Sequence, residues 1–373
     1  MSSISISLCL SYKEADGSVR DCINNLGGIS NFIHENDTVL IKPNLLLAKK
    51  PEESVTTHPA IIEAIINLVK DEDAIPIVGD SPGWPVDDLK RYWETSGILE
   101  VCSRLDTEIV NFESAGVYRK ILNGNHYYIA KPVLDADFVI NVPKIKTHSL
   151  TVFTCAVKNM YGTVPGLKKI EYHKESPIPA DFAGLVVDIF SLSKPGLNIV
   201  DGVIGMDGSG PSAGNPKELN MVLASADGVA LDSYITYILG KDPLKVPTTK
   251  IAYEKGIGEA DINKIEMLGY YPEVRTDFKW PPKLASSLNL LPSFIARGLM
   301  KFYWARPSIN SDTCTNCKTC AKSCPVGALK AGTNIPEFNY DECIKCMCCM
   351  EMCPEKAVKI EKSLINKLFS RDN

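Results

Sequence analysis

One cysteine spacing occurs twice near the C-terminal end of this chain. The first run is Cys314-x-x-Cys317-x-x-Cys320-x-x-x-Cys324-Pro325, and the second is Cys343-x-x-Cys346-x-x-Cys349-x-x-x-Cys353-Pro354. Three thiolates separated by two residues wrap three irons of a cubane cluster, and a fourth Cys, held by a turn before Pro, reaches the neighbouring cube. The spacing therefore predicts two [4Fe–4S] clusters with crossed ligation. Cys314, Cys317, Cys320 and Cys353 hold one; Cys343, Cys346, Cys349 and Cys324 hold the other. A disulfide framework would need an oxidising compartment. Zinc favours isolated ligand pairs over triplets closed by Cys-Pro.

The two runs superpose at one fixed offset, which also pairs Asp312 with Asp341, Ala328 with Ala357 and Lys330 with Lys359. This is an internal repeat of one cluster-binding unit, and residues 308–362 resemble the bacterial two-cluster ferredoxin module. Cys348 breaks the symmetry, because the first run has Lys318-Thr319 where the second has Met347-Cys348. It reads as a bystander thiol, with Cys348 and Cys349 competing for one ligand position. Nine of the 13 cysteines lie in this region. The other four, Cys9, Cys22, Cys102 and Cys155, are scattered and read as ordinary buried thiols.

A chain of 373 residues is too long for such a module alone and predicts two to three domains. The boundaries read as an α/β domain over 1–271, a linker over 272–307 and the two-cluster module with a tail over 308–373. A net charge of −5 gives no global electrostatic case for nucleic acid. No run of 18 apolar residues predicts a spanning helix. The first residues, Met1-Ser2-Ser3-Ile4-Ser5-Ile6, lack a basic region followed by an apolar core, so the chain is expected to be cytoplasmic. The linker is punctuated by Pro272, Pro281, Pro282, Pro292 and Pro307. Within it, residues 284–304 have helical apolar spacing, read as a helix packed between domains or, second, as a membrane-surface helix.

The large domain alternates short β-branched runs with amphipathic stretches, which predicts an α/β fold: a mostly parallel sheet with flanking helices. Strands are expected at 38–42, 75–79, 137–142, 197–200 and 220–224, and helices at 59–70, 181–193 and 228–239. Each strand leads into a polar or glycine-rich loop: Lys42-Pro43-Asn44, Asp80-Ser81-Pro82-Gly83, Pro143 to His148, Asp201 to Gly214, and Ser225-Ala226-Asp227. Parallel strands would bring all five to one edge of the sheet, where open α/β sheets bind ligands. Thr57 and Asp227 are expected to cap the helices that follow them.

Two of these loops carry most of the chemistry. Between Val142 and Lys174 stand Lys144, Lys146, Lys158, Lys168, Lys169 and Lys174, with His148 and His173, against one acid, Glu171. Fixed ammonium groups at a strand end suit a phosphate or carboxylate. Lys144, Lys146 and Lys158 are the candidates, because Lys168-Lys169 reads as a solvated face. The glycine-rich loop offers backbone donors at Gly208 and Gly210, with Asp201 and Asp207 to bind a cation or hydroxyl. It matches neither a P-loop nor a dinucleotide fingerprint. Lys42, Asn44 and Asn159 complete the expected substrate contacts. Of the five histidines (His34, His58, His126, His148, His173), His148 and His173, together with Asp80, are candidates for proton transfer.

Six segments taken in order resemble the family called DUF362, which is often fused to a ferredoxin module. They are Lys42-Pro43-Asn44; Thr56-Thr57-His58-Pro59; Gly79-Asp80-Ser81-Pro82-Gly83; Asn141 to His148; Ala156-Val157-Lys158-Asn159-Met160-Tyr161-Gly162; and Asp201 to Pro211. The resemblance spans residues 5–245. It implies a soluble prokaryotic iron–sulfur protein, commonly from anaerobes, and favours treating the motif loops as one site. The leading expectation is an oxidoreductase that passes single electrons from a soluble donor protein, through two [4Fe–4S] clusters, to a small anionic substrate. The alternatives are an electron-transfer adaptor docking on a partner enzyme and a cluster or metal maturation protein. Oligomeric state is left open.

Overall fold

In a computed structural model, which describes residues 2–83, 88–176, 178–281 and 305–363, the β-branched runs assemble into a ten-stranded sheet. Among the described residues, twelve strands precede the C-terminal module: β1 (Ser2–Leu8), β2 (Thr38–Lys42), β3 (Ile75–Asp80), β4 (Glu108–Asn111), β5 (Val117–Leu122), β6 (Asn125–Ala130), β7 (Phe138–Asn141), β8 (Lys144–His148), β9 (Val152–Thr154), β10 (Leu197–Asp207), β11 (Asn215–Ser225) and β12 (Ile265–Gly269). Their order is β12-β1-β11-β10-β7-β2-β3-β4, with β8 alongside β10 and β9 beyond it, while β5 and β6 form a separate hairpin. Helices cover both faces. Pro59–Lys70 packs Ile61, Ile62, Ile65 and Ile66 into one core layer, and Pro179–Ser193 packs Phe182, Val186, Val187 and Ile189 into the other. Burial on both faces is why β2 and β7 read as continuous apolar runs.

Strands β2, β3, β4, β7 and β10 run parallel, so four of the five expected polar loops do share an edge. The fifth does not. β11 is antiparallel to both β10 and β1, so Ser225 to Asp227 lie at the opposite edge. There Asp227 accepts a hydrogen bond from Ser2 Oγ at 2.7 Å and caps the helix Gly228–Ile238. Residues 144–148, expected as a loop, form β8. β10 continues through the expected glycine-rich loop to Asp207 and turns back as β11. Thr57 does not cap the helix Pro59–Lys70; the His58 ring does, with Nδ1 accepting from Ala60 N at 3.1 Å. Thr57 Oγ1 instead accepts from Asn44 N (2.8 Å) and donates to the Val142 carbonyl (2.7 Å), tying two strand ends together.

Part of the expected linker belongs to the large domain. Phe278 and Trp280 join its core, and Trp280 Nε1 donates to the Leu239 carbonyl at 3.0 Å. The helix expected at 284–304 lies outside the described residues. The C-terminal module comprises β13 (Ala305–Ile309), β14 (Leu329–Lys330), β15 (Glu337–Phe338) and β16 (Val358–Lys362). β13 pairs with β16 and β14 with β15, both antiparallel.

One buried carboxylate sets the start of a short helix that matters below. Asp232, on the helix Gly228–Ile238, accepts from Ala156 N (2.7 Å) and Val157 N (3.1 Å) and so holds the first turn of the helix Ala156–Asn159. Burial pushes this carboxyl up to about 7 against those two amides. Replacing Asp232 with Ala leaves both buried donors unpaired and should destabilise the fold by about 3 kcal/mol, read from urea denaturation.

Candidate functional site

Register brings the first charges together. Lys42 ends β2 and Asp80 ends the neighbouring β3, and their side chains meet at 2.8 Å with almost no exposure. Asp80 also accepts from the Ser81 and Leu45 amides at 2.8 and 2.9 Å. Burial alone would drive Lys42 down and Asp80 up, and the contact works against both. Gly162 lies over this pair: a Cβ there would come within 3.0 Å of both Asp80 Oδ1 and Lys42 Nζ. A side chain would have to displace a buried ion pair, so only glycine suits this position.

β8 explains the next three. Along a strand, alternate side chains share a face, so Lys144, Lys146 and His148 project together. Lys144 is opposite Asp201 in the β8–β10 register and is consumed there. Its ammonium contacts Asp201 at 2.8 Å and Tyr12 Oη at 2.8 Å, and Tyr12 Oη donates to Asp201 at 3.0 Å. Lys146 donates to Asn44 Oδ1 (2.6 Å) and the Val55 carbonyl (2.8 Å). The His148 ring is turned by its own chain: Nδ1 accepts from Leu150 N (3.1 Å) and Thr151 N (3.3 Å). An imidazole nitrogen that accepts carries no proton, so the proton of neutral His148 sits on Nε2.

The helix Leu167–Glu175 supplies Lys169 and His173, one turn apart on the same face. Lys169 donates to the Ser81 carbonyl (2.9 Å), Ser81 Oγ (2.7 Å) and the Pro82 carbonyl (2.6 Å). It is buried, so the expected solvated face applies to Lys168 alone, which pairs with Glu171 outside. The helix Ala156–Asn159 supplies Lys158 and Asn159. Asn159 is held by Asn44 and Asn141, at 3.0 and 2.7 Å. Lys158 is half-buried, its ammonium 5.5 Å from the centre of the Tyr161 ring. Among the described residues it has no hydrogen bond or ion pair.

These groups surround a cavity of about 70 Å³, and its last wall comes from the cysteine module. Glu351 lines it together with Lys42, Lys146, Lys158 and Lys169. Glu351 Oε1 lies 3.2 Å from His148 Nε2 but off the angle for a hydrogen bond, so both atoms are unsatisfied, as is His173 Nδ1. The module is anchored by Ser212 Oγ donating to the Glu351 carbonyl (2.6 Å), by Lys356 Nζ donating to the Gly214 carbonyl (3.3 Å), and by Met352 packed on Leu47, Val55 and Met206. Burial lowers Lys158, holds Lys146 down to about 7 and Lys169 to about 8, and keeps both histidines neutral, His173 at about 3 and His148 well below its usual range.

The cysteines line two other cavities, set by set. Cys314, Cys317, Cys320 and Cys353 surround one; Cys324, Cys343, Cys346 and Cys349 surround the other. Four thiols around each match the one thiolate per iron that a cubane requires. Cys348 lines neither and is buried beside Cys346.

Of the residues expected from the sequence, Lys42, Asn44, Asp80, Lys146, His148, Lys158, Asn159 and His173 line one cavity. Lys144 and Asp201 form the separate Tyr12 network. Asp207, Gly208 and Gly210 are spent on structure: Asp207 accepts from Lys279 N (3.2 Å), Gly208 N donates to the Lys279 carbonyl (2.6 Å), and the Gly210 carbonyl accepts from Ser149 Oγ (3.1 Å). Lys169 and Glu351 line the same cavity, although neither is among the site residues that the sequence indicates. The repeat held a signal for Glu351, because the first copy has Lys322 at the equivalent position.

Comparison with known proteins places these features in a wider group. Residues 39–237 match the model of a domain of unknown function, DUF362, and residues 306–354 match a 4Fe-4S dicluster domain. The thylakoid-associated protein sll1697 of Synechocystis sp. is 32% identical over 307 residues, covering 82% of this chain and 95% of that one. Among solved structures, the lactate racemase apoprotein of Thermoanaerobacterium thermosaccharolyticum superposes with a TM-score of 0.38 at 12% identity, over 63% of this chain and 56% of that one. Among the described residues no helix is long and apolar enough to cross a membrane.

The thiol cavities yield a direct test of the ligand sets. After anaerobic reconstitution, Cys348→Ser should keep the wild-type iron content of about eight per chain. Cys349→Ser should lose up to half of it, measured by iron and sulfide analysis.

Proposed function

This chain belongs to the DUF362 family and carries a 4Fe-4S dicluster domain, and from that premise we propose that it is an iron–sulfur oxidoreductase acting on a small anion bound in the lysine-lined cavity. Cys314, Cys317, Cys320 and Cys353 would hold one cluster and Cys343, Cys346, Cys349 and Cys324 the other. When bound, such clusters supply single-electron transfer. The reading rests chiefly on Lys158, whose ammonium faces the cavity without a hydrogen bond or ion pair among the described residues, while every other lysine there is anchored by acceptors. A half-buried charge without acceptors is costly unless a ligand supplies them.

The remaining residues divide the work. Lys146 and Lys169 add positive field, and Asn44 and Asn159 fix Lys146 and the loop after β2. Asp80 has its oxygens occupied by Lys42 and two backbone amides, which suits a positioning role better than proton transfer. His148 presents a neutral Nε2–H, a donor that can polarise a bound oxygen without becoming imidazolium, as neutral histidine electrophiles do. Glu351 makes the cysteine module part of the cavity wall, which favours an enzyme over an adaptor whose large domain serves only for docking. A redox partner protein would meet the module at the first run, where Cys317 is exposed.

The test is anion-dependent reoxidation of the chemically reduced, reconstituted protein. Lys158→Met should abolish the acceleration given by any active anion while leaving iron content and visible absorption unchanged. Equal rates in wild type and variant, for every accelerating anion, would sink the proposal.

The pH dependence follows from the lysines. Lys146 faces Lys158, Lys144, Glu351 and Asp80, and Lys169 faces Asp80, Glu113, Lys42 and Lys158. Both are charged below about 7 and lose their protons above about 8, so the cavity attracts anions at low pH and releases them as pH rises. Apparent affinity for an active anion should fall about tenfold between pH 7 and 9, measured by titration at constant ionic strength.

A further inference from the structure

The cavity also limits what the anion can be. We infer, resting on the reading above, that its ligand is a compact oxyanion of about three to five heavy atoms, presenting two or three oxygens around one central atom or a single carboxylate. The size argument comes first. A volume of about 70 Å³ has room for roughly five water-sized atoms, at about 15 Å³ each. Sites for cofactor-sized ligands run to about 300–1,000 Å³, so a compact anion fits this space whole, whereas a nucleotide, a flavin or a polycarboxylate would place only its anionic end there.

Donor accounting makes the second argument. An ammonium has three protons. Lys169 spends all three on Ser81 and Pro82, and Lys146 spends two on Asn44 and Val55. Lys158 spends none. The amide of Asn44 gives one proton to Asn159, and that of Asn159 spends both on Pro43 and Asn141. The protons left over are three from Lys158, one each from Lys42, Lys146 and the Asn44 amide, and the Nε2–H of His148, a side chain 1% exposed with that atom unpartnered. These donors share a small space with two carboxylates, Asp80, whose oxygens are occupied, and Glu351, whose Oε1 is unpartnered, so four lysines outnumber two acids in the lining. The complement of this lining is a ligand rich in acceptors and short of donors, and a negative charge on it answers Lys158, which Glu351 opposes only at a distance and without a direct ion pair. A single-atom halide would leave most of these protons unused.

Binding is measured by isothermal titration on the full-length, oxidised, reconstituted protein at pH 6.5, where no turnover intervenes. The probes are formate, acetate, nitrite and bicarbonate, set against citrate, FMN and ATP. At least one compact anion should bind saturably. Lys158→Met should weaken it at least about thirtyfold. His148→Asn, which keeps an acceptor for the Leu150 and Thr151 amides but removes Nε2–H, should weaken it about fivefold. If only citrate, FMN or ATP binds, and Lys158→Met abolishes that binding, the compact class is wrong while the anion-reducing function stands. If no probe binds, or binding ignores both substitutions, the compact class is overturned; if Lys158→Met also leaves anion-dependent reoxidation unchanged, the functional reading falls with it.

Discussion

Burying lysine is the constraint from which the rest of this structure follows. Lys42, Lys144, Lys146 and Lys169 are each at most 3% exposed, at one end of one sheet, and an unpaired ammonium in such a place costs several kcal/mol. Each is answered by a specific acceptor set, and those acceptors dictate local structure. Asp80 must end β3 beside Lys42, Asp201 must sit in register with Lys144, and Ser81 must turn its carbonyl toward Lys169. Glycine is required at 162 because the first of these pairs leaves no room for a side chain. The amides extend the same logic into the scaffold. Lys146 donates to Asn44, Asn44 to Asn159, Asn159 to Asn141, Asn141 to Asn198, and Asn198 to the Ser225 carbonyl. One hydrogen-bonded line thus runs from the cavity through β7 and β10 to the end of β11, and it makes the position of the cavity lysine a property of the whole sheet.

Where apolar periodicity carries the information, the chain is legible by eye. Thr38–Lys42 and Pro59–Lys70 have the boundaries that their spacing predicts. β8 escapes because its informative alternation is polar: Lys144, Lys146 and His148 occupy the face that a strand usually fills with valine or isoleucine. Local sequence cannot show that Asp201, 57 residues away, will neutralise the first of them. Lys169 escapes for the same reason. Beside Lys168 it looks solvated, and only the distant Ser81 and Pro82 carbonyls make its burial tolerable. The direction of β11 depends on a hairpin that a glycine-rich stretch conceals, since loops and bulged strand ends share that composition.

The two copies of the cysteine unit show how docking rewrites a repeat. Met347, Cys348, Met350, Glu351 and Met352 are all buried. Their counterparts Lys318, Thr319, Ala321 and Lys322 are half-buried or exposed, and only Ser323 is also buried. The second copy has exchanged a solvent-facing surface for Met352, which packs on Leu47, Val55 and Met206, and one carboxylate that reaches the lysines, while Met350 packs into the module's own core. The symmetry-breaking Cys348 belongs to this docking surface and not to the thiol cavities. Divergence between repeats therefore marks the interface, while the shared cysteines mark the chemistry common to both.

The cavity is held at a cost in stability, because burial works against its charged lysines. Lys146 and Lys169 have folded-state values of about 7 and 8, below the roughly 10.4 of an unfolded lysine. Between those limits the unfolded chain binds more protons than the folded one, so stability rises with pH across that window and is lowest where the lysines are charged. Neutral pH thus sits at the bottom of the window, where the folded protein tolerates charges that it would rather discard. A bound anion weakens this penalty, because it favours the charged ammonium and lifts both values toward that of the unfolded chain. The interaction that destabilises the empty cavity is the one that would secure an oxyanion within it, and Glu351 places the cysteine module against that same charge balance.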